Sequence, residues 1–309
     1  MRVLRAVQAT ILLLAVSPTP AAAAGDVLKI CLDENLPPLS EHRRGEPDRG
    51  FDVALAQRVA AQLDRPLEIQ WFGSKLDDDT SPALETNALL SDGRCALVGS
   101  YPLTQDSLVV PGVKTAKLPD FEGASRDDRR RRIPLGVLAP SQPYIYSPLA
   151  VVLASKARNR RIADLGDIAG LRIAIESGTL ADAILMNFDN GRLIDDITHL
   201  VPGRSDPLGA LDRGEFDATL LDLRRLDAYR LTHPENKLAT SGYFYPIGAN
   251  RAYVGLSANQ ELLVAVNKVL SGLQAAGTIA DLGRAAGLTY LAPREPTVLG
   301  DVWLKVLQK

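Results

Sequence analysis

The chain of 309 residues is poor in the residue types that build metal centres and many catalytic sites. Its three histidines, His42, His199 and His233, are far apart in the sequence, and it has only two cysteines. Zinc sites use three or four nitrogen, sulfur or carboxylate ligands, so this supply argues against one. The Gly-x-Ser-x-Gly elbow, the His-Glu-x-x-His motif and the glycine-rich phosphate and dinucleotide motifs are missing. We therefore predict no catalytic residues, no metal and no cofactor.

Aromatic residues are also scarce, at 5% of the chain, so aliphatic side chains must dominate the core. The hydrophobic share of 46% is sufficient for a large core, and the length favours two domains. The formal net charge is −2, which argues against a nucleic-acid-binding protein. Beyond the N-terminus, no run is long and apolar enough to cross a membrane.

The N-terminus has the pattern of a targeting segment. Arg2 and Arg5 precede an apolar run at 9–16 and a small-residue zone at 21–24. We predict a cleaved signal peptide over residues 1–24, because the run is too short for a membrane anchor and no cysteine is available for lipid attachment. Cleavage leaves 33 basic and 37 acidic residues, a net charge of −4. The expected location is the periplasm.

In that oxidising compartment Cys31 and Cys95 can form a disulfide. Each lies at a predicted strand, over residues 27–32 and 95–98, and a bridge requires those strands to be neighbours. It would close a loop of 64 residues, worth roughly 4 kcal/mol in the chain-entropy model. Two free buried thiols remain the alternative.

Strand and helix patterns alternate along the first hundred residues, which is typical of a parallel sheet. The apolar period of Phe51 and its followers predicts a helix. The predicted elements are strands at 27–32, 67–72 and 95–98, and helices at 51–63 and 84–90. Residues 101–148 are predicted to be irregular, because they contain seven prolines and a basic cluster.

Two apolar strands are predicted to connect the halves of the chain. Residues 149–155 would cross into a second lobe, and residues 252–257 would return. We assign residues 25–150 and 254–309 to the first lobe and 151–253 to the second. Helices at 262–273 and 279–286 would pack back on the first lobe, while the tail from residue 291 is unassigned. Two crossings make a hinge, and hinged lobes close on ligands.

The most informative stretch is 164–222. It predicts a strand, a Ser177-Gly178-Thr179 turn that opens a helix, and a second strand that ends at Asp222. Helix starts attract anions through free N–H groups, and ligands of open α/β sheets sit beyond the carboxyl ends of strands. These four residues are therefore predicted ligand contacts. Helix capping by Ser177 and Thr179, and by Asp222 for the next helix, is the alternative reading of the same pattern.

The first lobe offers further candidates by the same reasoning, since they follow the first and third strands or precede the crossing. Tyr144 could stack on a ligand at the hinge or pack against the crossing strands. The predicted ligand contacts of this lobe are Asp33, Asn35, Ser100, Tyr101, Thr104 and Tyr144.

Several of these segments, in this order, resemble the bacterial extracellular solute-binding proteins of family 3. The resemblance rests on the loop at 33–40, the helix start Gly50-Phe51-Asp52, Gln142-Pro143-Tyr144, the Ser-Gly-Thr turn with Asp222, and the helix pair at 261–286. It implies the periplasmic binding protein type 2 fold: an α/β clamshell of two lobes, each a mostly parallel sheet flanked by helices, with a two-strand hinge. The implied function is capture of a small polar solute by a monomer that serves the membrane permease of an ABC transporter.

The chain departs from that family in one position that matters for the ligand. Family members that bind amino acids usually carry an arginine after a Thr-Pro-Glu run, which grips the ligand carboxylate. Here the matching run is Thr104-Gln105-Asp106-Ser107, without an arginine. A few relatives are dehydratases with a cleft glutamate, for which Glu176 is the candidate, but the missing arginine argues against this role.

A narrower resemblance is to proteins encoded beside quinoprotein alcohol dehydrogenases. It rests on a cysteine in the first strand and on Gly93-Arg94-Cys95. It implies an accessory protein that binds a dehydrogenase or its cytochrome. The four arginines Arg129 to Arg132 would then bind an acidic partner. The alternative is that they lie in a solvated loop.

Overall fold

The computed structural model describes residues 26–74, 81–109 and 112–300. The predicted signal peptide at 1–24 lies outside the described residues, as do the last nine residues of the chain.

The first half begins with a strand–helix alternation that matches the predicted one. Its elements are β1 (Leu28–Asp33), β2 (Asn35–Leu36), β3 (Ser40–Glu41), α1 (Phe51–Gln62), β4 (Leu67–Gly73), α2 (Pro82–Ser91), β5 (Leu97–Pro102), α3 (Gln105–Leu108), β6 (Thr115–Lys117), β7 (Asp120–Phe121), β8 (Arg132–Pro134) and β9 (Leu138–Pro140). Local chemistry explains the starts of both main helices. Gly50, with a φ of 119°, precedes α1 where a Cβ would meet the Leu39 carbonyl oxygen at 2.3 Å. Ser81 caps α2, which has Pro82 at its first position.

The second half again alternates strands and helices before the chain returns. Its elements are β10 (Ile145–Leu153), β11 (Ile173–Glu176), α4 (Leu180–Asn187), β12 (Ile197–Leu200), α5 (Pro207–Asp212), β13 (Ala218–Asp222), α6 (Leu223–Thr232), β14 (Ala239–Leu256), α7 (Gln260–Ala275) and α8 (Thr278–Ala285). The closing helix pair is confirmed as α7 and α8. The segment predicted to be irregular, 101–148, instead contains α3 and the short strands β6 to β9.

The main sheet runs through both halves in the order β12-β11-β13-β10-β14-β5-β1-β4-β7, with β9 paired to β14. β1 lies parallel to β4 and β5, and β11 lies parallel to β12 and β13. Between these two parallel groups stand β10 and β14, which pair antiparallel with each other. The polypeptide thus has two α/β domains joined through a pair of antiparallel strands.

The two connecting strands are neighbours over most of their length, from Ile145 opposite Arg251 to Leu153 opposite Ala239. The predicted crossings are confirmed, but the start of the second one was wrong, because β14 begins at Ala239 rather than near residue 252. The pairing of the early part of β14 with β10 is irregular around Pro148. Gly248 faces that point, where a Cβ would lie 2.5 Å from the Tyr146 hydroxyl.

Each half of the sheet is covered on both faces by its own apolar core. In the first half, Phe51 of α1 and Leu270 of α7 pack on one face, and Leu89 of α2 packs on the other. In the second half, Ile184 of α4 packs on one face, and Leu226 of α6 packs on the other. Each half therefore has the three-layer arrangement expected of a sheet buried between helices.

A disulfide joins Cys31 of β1 to Cys95, which precedes β5. The two Cα atoms are 5.6 Å apart, within the ordinary range for a bridge. Both cysteines are buried beneath α2. The predicted pairing is confirmed, and its reason is that β1 and β5 are adjacent parallel strands.

The tail that follows α8 runs back across both halves. Thr289 donates from its backbone amide and its hydroxyl to Asp227 of α6, at 2.7 and 2.8 Å. The side chain of Asn250 in β14 bonds to the backbone of Arg294 and Thr297. Leu299 then exchanges backbone hydrogen bonds with the segment after β5 while its side chain packs in a core of the second half. We name residues 287–300 the C-terminal strap.

Within the described ranges, no single helix is long and apolar enough to span a membrane. The segments Ser257–Ala275 and Thr278–Ala285 meet the length and composition requirements only as a pair, and they meet at an angle of 79°.

Candidate functional site

Two cavities open beyond the carboxyl ends of the parallel strands, one in each half. The cavity of the first half, which we call the first cavity, has a volume of about 560 Å³. Three predicted ligand contacts line it, namely Asp33, Ser100 and Tyr101. They lie together because β1 and β5 are adjacent and end at the same edge.

The second cavity, with a volume of about 160 Å³, lies beyond β11 and β13. Of the predicted contacts in this half, Thr179 and Asp222 line it. Glu176, the residue weighed as a catalytic glutamate, forms an ion pair there with Arg225 at 2.6 Å. Its carboxylate is therefore engaged by a cation of its own chain.

Arg251 of β14 links the two cavities. Its Nε donates to the Ser147 hydroxyl at 2.9 Å, and its Nη1 donates to the Ser100 carbonyl oxygen at 2.9 Å. Its Nη2 lies 3.4 Å from Asp222 Oδ2 in the other half. Since one guanidinium contacts both Ser100 and Asp222, the ends of β5 and β13 face each other across the hinge.

Arg224, at the start of α6, makes a second bridge between the halves. Its Nη1 donates to the Pro37 carbonyl oxygen in the loop after β1 at 3.0 Å. Burial lowers the pKa of its guanidinium, while the charge of Asp222 opposes that shift. Asp222 itself caps α6 by accepting the backbone N–H of Arg224 at 2.9 Å. Asp222 therefore both caps α6 and lines the second cavity.

Asp33 lies between the first cavity and Arg224. Its Oδ1 accepts the backbone N–H of Asn35 at 2.8 Å. Burial raises the pKa of the Asp33 carboxyl, and the hydrogen bond from Asn35 and the charge of Arg224 act in the opposite direction. Asn35 itself is exposed and lines neither of the two cavities.

Behind the wall of the first cavity lies a buried polar network that the sequence did not reveal. The Tyr144 hydroxyl donates to Asp52 Oδ1 at 3.0 Å and accepts the backbone N–H of Ser100 at 2.5 Å. Asp52 is fully buried in the first turn of α1, and burial raises its pKa to about 6 against the hydrogen bond from Tyr144. Ser100 has a φ of 49°, a left-handed conformation that non-glycine residues rarely adopt.

Tyr144 therefore supports the site from behind. Its ring has no exposed surface and packs against Phe51 and Tyr253, with ring centroids 5.9 and 5.2 Å away. In this conformation it lines neither cavity. Its position is therefore that of a residue packed against the connecting strands, which was the alternative to a ligand contact. Thr104, also predicted as a contact, caps α3 and lies outside both cavities.

The Ser177-Gly178-Thr179 turn is occupied by a carboxylate of its own chain. Asp182 Oδ2 accepts the backbone N–H of Gly178 at 2.8 Å, and its other oxygen lies 2.9 Å from His199 Nε2. Thr179 caps α4 by accepting the N–H of Asp182 at 3.1 Å. Ser177 donates its N–H to the Leu200 carbonyl oxygen. Of the three predicted contacts, only Thr179 lines the second cavity.

The charges around the hinge are nearly balanced. Asp33 and Asp222 face Arg224 and Arg251, and Glu176 faces Arg225. Sequence reasoning missed Arg251 and Arg224, although Arg251 directly precedes the predicted returning strand. Within the described ranges, the hinge included, no group of three or more histidine, cysteine, aspartate or glutamate side chains could hold a metal ion. The site can hold a small molecule by directed hydrogen bonds and charge pairs.

No protein-family model matches the sequence, and no curated protein matches it. Solved structures do match over most of the chain. The unliganded, open L-cystine solute receptor of Neisseria gonorrhoeae is 18% identical, with 87% of this chain and 96% of the receptor covered and a TM-score of 0.59. The second substrate-binding domain of a putative amino acid ABC transporter from Streptococcus pneumoniae is 18% identical, with coverages of 86% and 100% and a TM-score of 0.60.

A third match is a histidine kinase sensor domain described as similar to periplasmic binding proteins. It is 17% identical, with coverages of 86% and 98% and a TM-score of 0.52. The chain has the two-domain fold of periplasmic binding proteins. The predicted fold class is therefore confirmed. None of these three structures is described as part of a quinoprotein dehydrogenase system, so the narrower resemblance gains no support from them.

Proposed function

We propose that this chain is a periplasmic solute-binding protein that captures a small polar solute between its two domains and presents it to the permease of an ABC transporter. The observation that carries this proposal is the pairing of β10 with β14 between two α/β halves, with polar strand ends of both halves facing the hinge. A ligand that contacts both halves binds the closed form better than the open form and shifts the population towards closure.

Two features support a role in binding rather than catalysis. Most of the charged side chains beside the cavities are paired with each other or with the backbone, as Glu176 is with Arg225 and Asp33 is with the backbone of Asn35. The solved structures of the same fold include a receptor and a transporter domain, named for L-cystine and for amino acids. These solutes are the first candidates to test, together with small carboxylates. We expect the protein to act as a monomer.

The accessory role beside a quinoprotein dehydrogenase is not part of this proposal. Its suggested docking surface at 129–132 is not a free basic surface, because Arg129 pairs with Asp120 at 3.0 Å and Arg131 pairs with Asp92 at 2.6 Å. The segment forms a short 3₁₀ turn that leads into β8. Half of its arginines therefore have acidic partners within the chain.

Titration calorimetry combined with small-angle X-ray scattering tests the proposal. The purified mature protein is titrated with the twenty L-amino acids, L-cystine and small carboxylates, and scattering is recorded with and without each solute that binds. We expect saturable binding of at least one solute and a smaller radius of gyration in its presence.

A matched pair of variants locates the binding. Asp222→Ala removes a carboxylate beside the hinge and should change the affinity for the solute that binds, whereas Asp189→Ala removes an exposed carboxylate of the same half and should leave that affinity unchanged. Absence of binding across the whole panel, or equal effects of the two variants, would contradict the proposal.

A further inference from the structure

Given the function proposed above, one residue has the geometry to decide which solutes bind. We propose that Arg251 is the specificity-determining residue of the site. Its guanidinium binds the carboxylate of a small monocarboxylate, and the apolar body of that ligand fills the first cavity. An ammonium group on the ligand is not required for binding.

The position of the Arg251 side chain is fixed before any ligand arrives. Ser147 of β10 and the Ser100 carbonyl oxygen of β5 each hold one N–H at 2.9 Å, and the side chain is only 13% exposed. A guanidinium has five N–H groups in a rigid fork that matches the two oxygens of a carboxylate. The contacts to Ser147 and Ser100 use two of them, and Asp222 holds a third that a ligand carboxylate can take over.

The cavity beside this fork has mainly apolar walls. Its lining includes Leu36, Phe72, Val98 and Pro82. Such a wall favours a hydrocarbon body, and about 560 Å³ falls in the range of small-molecule sites. Asp33 and Asp106 also lie on the wall, so a second negative charge on the ligand would be repelled. These features together favour a monoanion with an apolar body.

Asp222 acts as the resident counter-ion of Arg251. Its contact with Arg251, at 3.4 Å, is the longest that this guanidinium makes. Asp222 also has the Arg224 backbone N–H at 2.9 Å and the Arg224 Nε at 4.0 Å, so it stays neutralised when a ligand carboxylate replaces it on Arg251. A ligand ammonium placed at Asp222 would instead lie beside two arginine cations and be repelled.

The test uses probes with one carbon skeleton and different charged groups. They are 4-methylpentanoate, its amide 4-methylpentanamide, and L-leucine, which adds an α-ammonium group. Calorimetry with the wild-type protein should show that 4-methylpentanoate binds about tenfold or more tightly than the amide, since hydrogen bonds to a charged group are the stronger ones. L-Leucine should bind no more tightly than 4-methylpentanoate.

Variants then separate a ligand contact from a structural role. Arg251→Gln should weaken 4-methylpentanoate about tenfold or more and change amide binding little, and Arg251→Lys should restore part of the loss. Asp222→Asn removes the competing carboxylate and should tighten 4-methylpentanoate binding, an effect that a purely structural role would not produce. Arg294→Gln, which removes an arginine packed over Tyr146 in the strap, is the matched control and should leave binding unchanged.

If 4-methylpentanoate binds, three outcomes overturn the inference. They are tighter binding of the amide or of leucine than of 4-methylpentanoate, unchanged affinity in folded Arg251→Gln, and weaker carboxylate binding in Asp222→Asn. If the wild type binds another solute of the panel but not 4-methylpentanoate, the inference fails and the proposed function stands. If no solute binds at all, both fail.

Discussion

Replacing Asp52 with asparagine should change how stability depends on pH. Asp52 is fully buried behind Ser100, and burial raises its pKa from the ordinary value of 3.8 to about 6. Between these two values the folded protein holds a proton that the unfolded chain has released. The protonated Asp52 carboxyl therefore contributes its full stability to the folded state below pH 3.8, and this contribution is lost as the pH rises through about 6.

The magnitude follows from the interval between the two pKa values. A tenfold change in proton affinity is worth about 1.4 kcal/mol, so the interval from 3.8 to about 6 corresponds to about 3 kcal/mol. Asparagine cannot ionise, and its side-chain oxygen can still accept the Tyr144 hydroxyl. The free energy of unfolding of Asp52→Asn, relative to wild type, should thus rise by about 3 kcal/mol between pH 3.5 and pH 7.

Urea unfolding from pH 3.5 to 7.5 measures this difference, with the fluorescence of the buried Trp71 as the probe. Asp281→Asn is the matched control, because that carboxylate is 68% exposed at the surface of α8 and should leave the pH profile unchanged. If the stabilities of Asp52→Asn and wild type run parallel across this range, the pKa of Asp52 is the same in the folded and unfolded protein and the reasoning is refuted.

Three further predictions concern the stability of the folded chain. Replacing Cys31 and Cys95 together with serine should lower the free energy of unfolding by roughly 4 kcal/mol, because the bridge closes a 64-residue loop; urea unfolding should show it, and an unchanged midpoint would contradict it. Asp227→Asn should weaken the contact with Thr289 and lower the free energy of unfolding by about 1–3 kcal/mol. Amide hydrogen exchange should become faster in the strap and stay unchanged in the core of β1, which is the internal control. Asn250→Ala should cost about 2–4 kcal/mol because several strap backbone groups lose their partner, and a loss in thermal stability no larger than that of a surface alanine substitution would speak against it.

Local pattern was sufficient to predict most of the strands and helices. The helix predicted at 51–63 is α1, and the strand predicted at 149–155 is the second half of β10, because apolar periodicity and turn residues act over short distances. The carboxyl-end rule also placed Asp33, Ser100, Tyr101, Thr179 and Asp222 at cavities.

What the sequence pattern could not supply is the pairing of distant side chains. Arg251 contacts Ser100 and Asp222, which are 151 and 29 residues away, and no local signal joins them. Tyr144 looked like a ring at the cleft and is instead the hydrogen-bond partner of Asp52, 92 residues earlier. The strap was also unassigned, since its order comes from Asn250 and Asp227 rather than from its own periodicity.

The central claim is that two domains close on a solute by movement about β10 and β14. Single-molecule energy transfer tests this closure directly. The two dyes are attached to cysteines introduced at the exposed positions Gln57 of the first half and Asp195 of the second, and the native disulfide is kept intact. We predict that a solute found to bind by calorimetry raises the transfer efficiency in proportion to site occupancy. Saturation with such a solute at unchanged efficiency would contradict the claim.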